Sequence, residues 1–266
     1  MTAGERIVIK IGTSTLTHES GLLNIRRAER LVKVLADLRN SGAELVLVSS
    51  GAIAIGAGKL GLGGRPEDMP TKQAAAAIGQ CELMHIYDSL FSGYNHIVAQ
   101  VLLTYDVLDD AQKKENALNT LNRLLDLRAI PIINENDTVS IDEMGIGDND
   151  QLSAFVAKLI GADRLIILSD IAGLYTADPH TNPNAELISK VTGIDEKIRA
   201  LAGSSGSRRG RGGMITKLIA AQTAMAAGID AHIIQGENPE NLYRLFDGEI
   251  IGTLFKAAGK REHHAN

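Results

Sequence analysis

Two lysines stand where the sequence could bring positive charge against a phosphate. Lys10 lies in the apolar run RIVIKI (Arg6 to Ile11), and Gly12-Thr13-Ser14 follows at once. Lys217 falls one turn into a helical pattern that opens at Gly212-Gly213. Helix N-termini carry unpaired N–H groups that bind phosphate, and glycine lets the backbone come close. Between the two lies Gly147-Asp148-Asn149-Asp150, leading into a helical pattern at Gln151. Phosphoryl transfer asks for alignment and positive charge more than for covalent chemistry. A lysine ~4 Å from a phosphate oxygen interacts by about 4 kcal/mol at an effective dielectric of 20. In that reading Asp150 holds both lysines in place, while Asn149 and Asp148 grip an amino acid's ammonium group. Each feature also has a plainer account. A lysine in a strand usually snorkels from an edge, a lysine in a helix usually faces solvent, and Asn149 or Asp150 can simply cap a helix.

Other polar segments end apolar runs in the same way: Ser49-Ser50-Gly51 through Gly56, Asn134-Glu135-Asn136-Asp137, and Ser169-Asp170. In an open parallel sheet, ligands bind beyond the carboxyl ends of the strands, so four such segments at one edge carry more weight than any alone. Two familiar nucleotide fingerprints are absent. Gly56-Ala57-Gly58-Lys59 ends like a P-loop, but Ile53 and Leu60 break the spacing GxxxxGK[ST], and no GxGxxG follows a strand to open a helix.

The elements that must position these residues alternate between short aliphatic runs and longer helical patterns, which predicts βαβ units and a mainly parallel sheet. Strands are expected at Arg6–Ile11, Glu44–Val48, His96–Leu103, Ala129–Ile133, Arg164–Leu168, Ala231–Ile234 and Gly252–Phe255. Helices are expected at Asn24–Arg39, Thr71–Leu90, Ala111–Leu127, Gln151–Ile160 and Gly213–Ala227. Nearly continuous apolar strands suit a sheet covered on both faces.

The 266 residues, 44% hydrophobic, are enough for one large α/β domain that buries roughly 75% of its unfolded surface. Cys81 is the only cysteine, so no intramolecular disulfide can form; it reads as a packed helix residue. A formal charge of −5 argues against broad nucleic-acid binding, and 3% aromatics with no tryptophan leave little to stack bases on. The basic cluster Arg208, Arg209 and Arg211 is either a solvated loop or a phosphate clamp. His263-His264 reads as part of a solvated end rather than a metal site. No run approaches the ~20 apolar residues of a membrane span, and the expectation is a cytoplasmic protein that binds neither membrane nor nucleic acid.

Eight segments make a more specific likeness. VIKIGTSTL (8–16), VLVSSGAIAIG (46–56), PIINENDTVS (131–140), GDNDQLSAFVA (147–157), LSDIAGLYTADP (168–179), NPNAELI (182–188), GGMITKLIAA (212–221) and GTLF (252–255) span nearly the whole chain. In content and order they resemble the glutamate 5-kinases, a branch of the amino acid kinase family. The resemblance implies an α/β fold with an open, mainly parallel sheet sandwiched between helices. It implies a single amino acid kinase domain over residues 1–256, with a glutamate-binding lobe of about 1–160, a nucleotide lobe of about 161–256 and a charged tail, 257–266. The implied reaction turns ATP and L-glutamate into ADP and L-glutamyl 5-phosphate, the first step of proline biosynthesis, with Mg2+ on the ATP phosphates, feedback inhibition by proline, and a homodimer or tetramer.

Carried over by position, Lys10 and Lys217 would stabilise the migrating phosphoryl group and Asp150 would organise both. Ser50, Asp137 and Asn149 would bind glutamate, with Asn134 and Asp148 nearby. Lys10, Ser169, Asp170 and the segment Arg211, Gly212, Gly213, Met214, Ile215, Thr216 and Lys217 would line the nucleotide site. No residue is assigned to the metal. The chain departs from the family pattern at Arg211, where a threonine is usual. GTLF stands close to the end of the sequence, where many members continue into an RNA-binding-type PUA domain, so a short form without one is expected. Acetylglutamate or aspartate kinases are the alternatives within the class, and a catalytically silent amino-acid or nucleotide sensor is the alternative outside it.

Overall fold

The computed structural model of the chain describes residues 4–18, 20–139, 149–179, 181–204 and 213–259. Asp148, Arg208, Arg209, Arg211, Gly212 and the His263-His264 pair therefore lie outside the described residues.

The strands are β1 (Arg6–Ile11), β2 (Glu44–Ser49), β3 (Val98–Leu103), β4 (Ile130–Glu135), β5 (Arg164–Ser169), β6 (Lys190–Val191), β7 (Asp230–Gln235) and β8 (Thr253–Phe255). They form one sheet in the order β3-β4-β2-β1-β5-β7-β8-β6. Every pairing is parallel except β7 with β8. β1 is central, with Lys10 registered against Val48 on one side and Ile167 on the other.

Alternation along β1 decides where Lys10 goes, because successive side chains point to opposite faces. Ile7, Ile9 and Ile11 join the core built with α2 (Ile25–Asn40) and α4 (Met69–Ser92). Val8 joins the other core, built with α5 (Ala111–Asp126), α6 (Asn149–Leu159) and α8 (Met214–Ala226). Lys10 shares the parity of Val8, so its side chain runs along the α6 and α8 side. Each buried aliphatic on these strands contributes about 1.5–3 kcal/mol, which fixes the register that aims the lysine.

The long helices start where their sequences supply a cap. Asn24 accepts from the Arg27 N–H at 3.1 Å ahead of α2. Asp68 accepts from Thr71 N–H at 2.9 Å ahead of α4, whose first turn also holds Pro70. Asp110 accepts from the N–H groups of Gln112 and Lys113 ahead of α5. Such side-chain acceptors satisfy orphan donors of the first turn.

The structure corrects the sequence reading in several places. Ser49 through Gly56 is not a continuous loop: the chain turns at Gly51, whose φ of 112° favours glycine, and enters α3 (Ala52–Lys59). Gly56, whose P-loop likeness already failed on spacing, serves helix packing together with Gly79. A Cβ on Gly79 of α4 would lie 1.7 Å from the Ala52 carbonyl oxygen, and one on Gly56 would lie 1.9 Å from that of Ala75. Backbone therefore meets backbone where α3 crosses α4. Cys81 is exposed rather than packed, because Gly79 and Gln80 take the inner side of α4 at that level. Short α1 (Thr13–Leu16), α7 (Glu196–Ser204), α9 (Asn241–Phe246) and β6 were not anticipated; their runs are too brief to show a period. At the far end Ala257 is buried, and its N–H donates to Asp230 Oδ1 at 3.1 Å.

Candidate active site

The carboxyl ends of β1, β2, β4 and β5 open onto a cleft of about 790 Å3. Lys10, Ser50, Asn134, Asp137, Asn149, Ser169, Asp170 and Lys217 all line it. The four polar segments singled out in the sequence thus meet at one place.

Asp150 lies beneath the cleft floor in the first turn of α6, fully buried. Lys10 Nζ sits 2.7 Å from its Oδ1, and Lys217 Nζ sits 2.9 Å from its Oδ2. One lysine arrives from the central strand and the other from the first turns of α8, and both are at least nine-tenths buried. Burial pushes the Asp150 carboxyl up, but the charges and hydrogen bonds of Lys10 and Lys217 outweigh it and hold it below the ordinary carboxylate range. Desolvating three charges costs several kcal/mol per ion, so the arrangement needs the close geometry it has. Thr216 adds to it: its hydroxyl lies 3.0 Å from Asp150 Oδ2 and 2.9 Å from the Gly213 carbonyl.

On the wall toward β2 and β4, Ser50, Asn134 and Asn149 form a neutral network, with the carboxylates Glu135 and Asp137 also lining the cleft. Asn149 Nδ2 donates to Ser50 Oγ at 2.8 Å, to Asn134 Oδ1 at 2.8 Å and toward the Ser49 carbonyl at 3.3 Å. Asn134 Oδ1 also accepts from the Glu135 N–H at 2.9 Å, and Asn134 Nδ2 donates to Gln80 Oε1 at 2.9 Å. A second side chain of α4 braces the end of β2: the Tyr87 hydroxyl lies 2.9 Å from Ser49 Oγ. Burial pushes the Tyr87 phenol up, against the opposing effect of the Ser49 hydrogen bond, so it stays protonated.

On the side of β5, Ser169 Oγ donates to Asp170 Oδ1 at 3.0 Å. In the described part of the α8 segment, Gly213 stands at the N-cap with no side-chain cap. The Met214 side chain is buried in the core, Ile215 is exposed, and Thr216 turns to Asp150. Among the described residues of this segment, Gly213 to Lys217, Lys217 alone lines the cleft.

Sequence reasoning did not single out Gln80, Tyr87, Arg27, Arg65, Glu135 or Glu237. Glu135 was visible inside the polar run after β4, and it lines the cleft. Arg27 donates to the Ser14 carbonyl at 2.9 Å and pairs with Glu237 at 2.6 Å, tying α2 to α1 and to the segment after β7. No local signal marks such a strut, because its partners come from distant parts of the chain.

Comparisons with known proteins agree with this geometry. A family model described as the amino acid kinase family matches residues 5–235. A glutamate 5-kinase of Clostridium perfringens is 53% identical over 257 residues, covering 95% of this chain and 96% of that protein. A glutamate 5-kinase of Listeria monocytogenes is 50% identical over 266 residues, covering 98% and 96%. Among solved structures, an isopentenyl phosphate kinase of T. acidophilum superposes with a TM-score of 0.64 at 19% identity, covering 94% of this chain and 99% of that one. A UMP kinase of Bacillus anthracis gives 0.64 at 18% identity, covering 97% and 98%. These two establish likeness of fold alone. Shared sequence over nearly the full length of each curated relative, on the fold described above, shows that the chain belongs to the glutamate 5-kinase branch of the amino acid kinase family.

Proposed function

We propose that the chain transfers the γ-phosphoryl group of ATP to the side-chain carboxylate of L-glutamate, giving L-glutamyl 5-phosphate and ADP, the first step of proline biosynthesis. One observation carries the reading: a single buried carboxylate, Asp150, holds an ammonium group on each oxygen at the floor of a cleft lined on another side by Ser50, Asn134 and Asn149.

Glutamate's γ-carboxylate is ionised at pH 7 and needs no general base. It attacks the γ-phosphorus in line, and the protein contributes position and positive charge. Lys10 and Lys217 stabilise the migrating phosphoryl group, and Asp150 keeps both ammonium groups at its level. Ser50, Asp137 and Asn149 hold glutamate, with Asn134 and Asp148 beside them. Ser169, Asp170 and the segment from Arg211 through Gly212, Gly213, Met214, Ile215 and Thr216 to Lys217 face the nucleotide. In that segment the support comes from the backbone at an uncapped helix start, since the side chains of Met214 and Thr216 are engaged elsewhere. Mg2+ enters with ATP as part of that substrate; magnesium keeps waters and binds readily through phosphates, and no protein ligand is assigned to it.

The proposal extends to a glutamate lobe of about residues 1–160 and a nucleotide lobe of about 161–256. It also includes proline competing at the glutamate site, a homodimer or tetramer, and a cytoplasmic location. No helix among the described residues is long and apolar enough to cross a membrane.

The test is ADP release from ATP with glutamate, aspartate or N-acetylglutamate as acceptor. Glutamate should be the fastest by k_cat/K_M. Equal or faster turnover of either other acceptor defeats the assignment of substrate, and no acceptor-dependent release defeats the assignment as a kinase. Proline at high concentration should slow the reaction at low glutamate; an unchanged rate defeats that part alone.

A further inference from the structure

The amide chain on the β2 and β4 side of the cleft has a direction, and groups that cannot flip set it. The Glu135 N–H can only donate, so the atom of Asn134 that faces it is the oxygen. Asn134 must then present its NH2 to Gln80, and Gln80 must answer with its carbonyl. The same Asn134 oxygen faces Asn149, which must offer its NH2; the Ser49 carbonyl, which can only accept, demands the same. An NH2 cannot accept, so the Ser50 hydroxyl accepts from Asn149. Its own proton is thereby left to donate on the cleft side, where Ser50 lines the wall.

Gln80 is the remote end of this chain, 54 residues from Asn134 in sequence. It is 8% exposed, and its Nε2 has no hydrogen-bond partner. A buried donor without a partner destabilises the fold; methionine would fill the same space without that Nε2, but would leave the buried Asn134 NH2 without its acceptor. Packing alone therefore does not account for a glutamine here. Its neighbour Gly79 is the residue through which α4 locks against α3, so the carbonyl of Gln80 is presented from a fixed backbone.

We infer that Gln80 is a positioning residue, holding Asn134 in the one-way hydrogen-bond chain that leaves Ser50 a proton donor toward a carboxylate of the acceptor substrate. This rests on the glutamate-kinase reading above, in which Ser50 touches the acceptor. Gln80 itself touches Asn134 and acts through Asn149 and Ser50.

The experiment measures steady-state kinetics of the full chain as wild type, Gln80→Met, Gln80→Glu, Ser50→Ala and the double variant Gln80→Met/Ser50→Ala. Gln80→Met should raise the K_M for glutamate about fivefold, the scale of one neutral hydrogen bond, with the K_M for ATP within about twofold of wild type. In the Ser50→Ala background the same change should add less than about twofold, because the group it positions is gone. Gln80→Glu keeps an acceptor toward Asn134 whether or not its carboxyl is protonated, and should retain a near-wild-type K_M for glutamate. An unchanged glutamate K_M in Gln80→Met, an equal rise for ATP, or a full fivefold effect persisting without the Ser50 hydroxyl overturns the role. Should Gln80→Met show no cooperative unfolding transition, Gln80→Glu decides alone: a glutamate K_M raised fivefold or more overturns the proposal. Wild-type protein that releases no ADP in response to glutamate refutes the kinase reading itself, an outcome distinct from all of these.

Discussion

At the floor of the cleft, Lys10, Asp150 and Lys217 meet through ionic contacts at 2.7 and 2.9 Å. On the wall, Ser50, Asn149, Asn134 and Gln80 meet through neutral hydrogen bonds of almost the same length, 2.8 to 2.9 Å. The two regions differ in what they transmit. Charge acts over distance and without regard to which proton points where, so it suits a phosphoryl group that moves from one oxygen to another. Neutral amides carry a sense of direction, donor to acceptor, which suits a substrate that must be held one way round. The floor should therefore govern rate and stability, and the wall should govern recognition of the acceptor.

The largest way to break that division is Asp150→Ala, which leaves two buried ammonium groups without their shared carboxylate. It should cost about 3–5 kcal/mol of stability, the range for one partner removed from a buried ion pair, read by urea unfolding. Next come Lys10→Ala and Lys217→Ala. Each should lower k_cat by roughly 10²–10³, the usual effect of removing one donor to developing charge, with little change in glutamate K_M; wild-type k_cat in either variant ends that lysine's assignment. Ser50→Ala should do the reverse, raising glutamate K_M by about 1.5–3 kcal/mol of lost bonding to a charged group, or roughly ten- to a hundredfold, while k_cat at saturating glutamate falls far less. Gly79→Ala tests whether the wall depends on how α3 seats against α4. The added methyl meets a carbonyl at 1.7 Å, so stability should fall by about 1–3 kcal/mol and glutamate K_M should rise more than ATP K_M.

The smallest effect lies in pH. The lowered value of the Asp150 carboxyl, burial notwithstanding, comes from the two lysines. Its contribution to stability is complete above about pH 4, the unfolded value, and is lost as pH falls through the folded value. Unfolding free energies of wild type and Asp150→Ala should run parallel from pH 5 to 8 and converge below pH 4. A gap that closes anywhere between pH 5 and 8 would place the charge on another group.

The floor was more legible in the sequence than the wall, for a physical reason. Lys10 and Lys217 sit in settings that short stretches reveal, one closing an aliphatic strand and one opening a helix after glycine. Asp150 was equally readable as a cap, and only the fold separates those roles, since its carboxylate turns inward to two lysines. The strand pattern carried the sheet because nearly continuous apolar runs need no partner to be recognised. What escaped depends on contacts between distant segments. The spacing around Gly56 excluded a P-loop but could not show that this glycine seats α3 against α4, and nothing near Gln80 in the sequence shows that Asn134 lies within 2.9 Å of it.

The central place of β1 bears on how the chain reaches this state. One neighbour, β2, follows within a few dozen residues, but the other, β5, begins only at Arg164. As the nascent chain emerges, the strand that carries Lys10 must wait with one edge unpaired while well over half of the sequence is made. An unpaired apolar edge is a template for association with other chains, and closing so long a loop slows folding. The aliphatic sequence that aims Lys10 in the finished protein thus makes the unfinished one prone to aggregate, so yield should improve when fewer chains are made at once or chaperones are abundant.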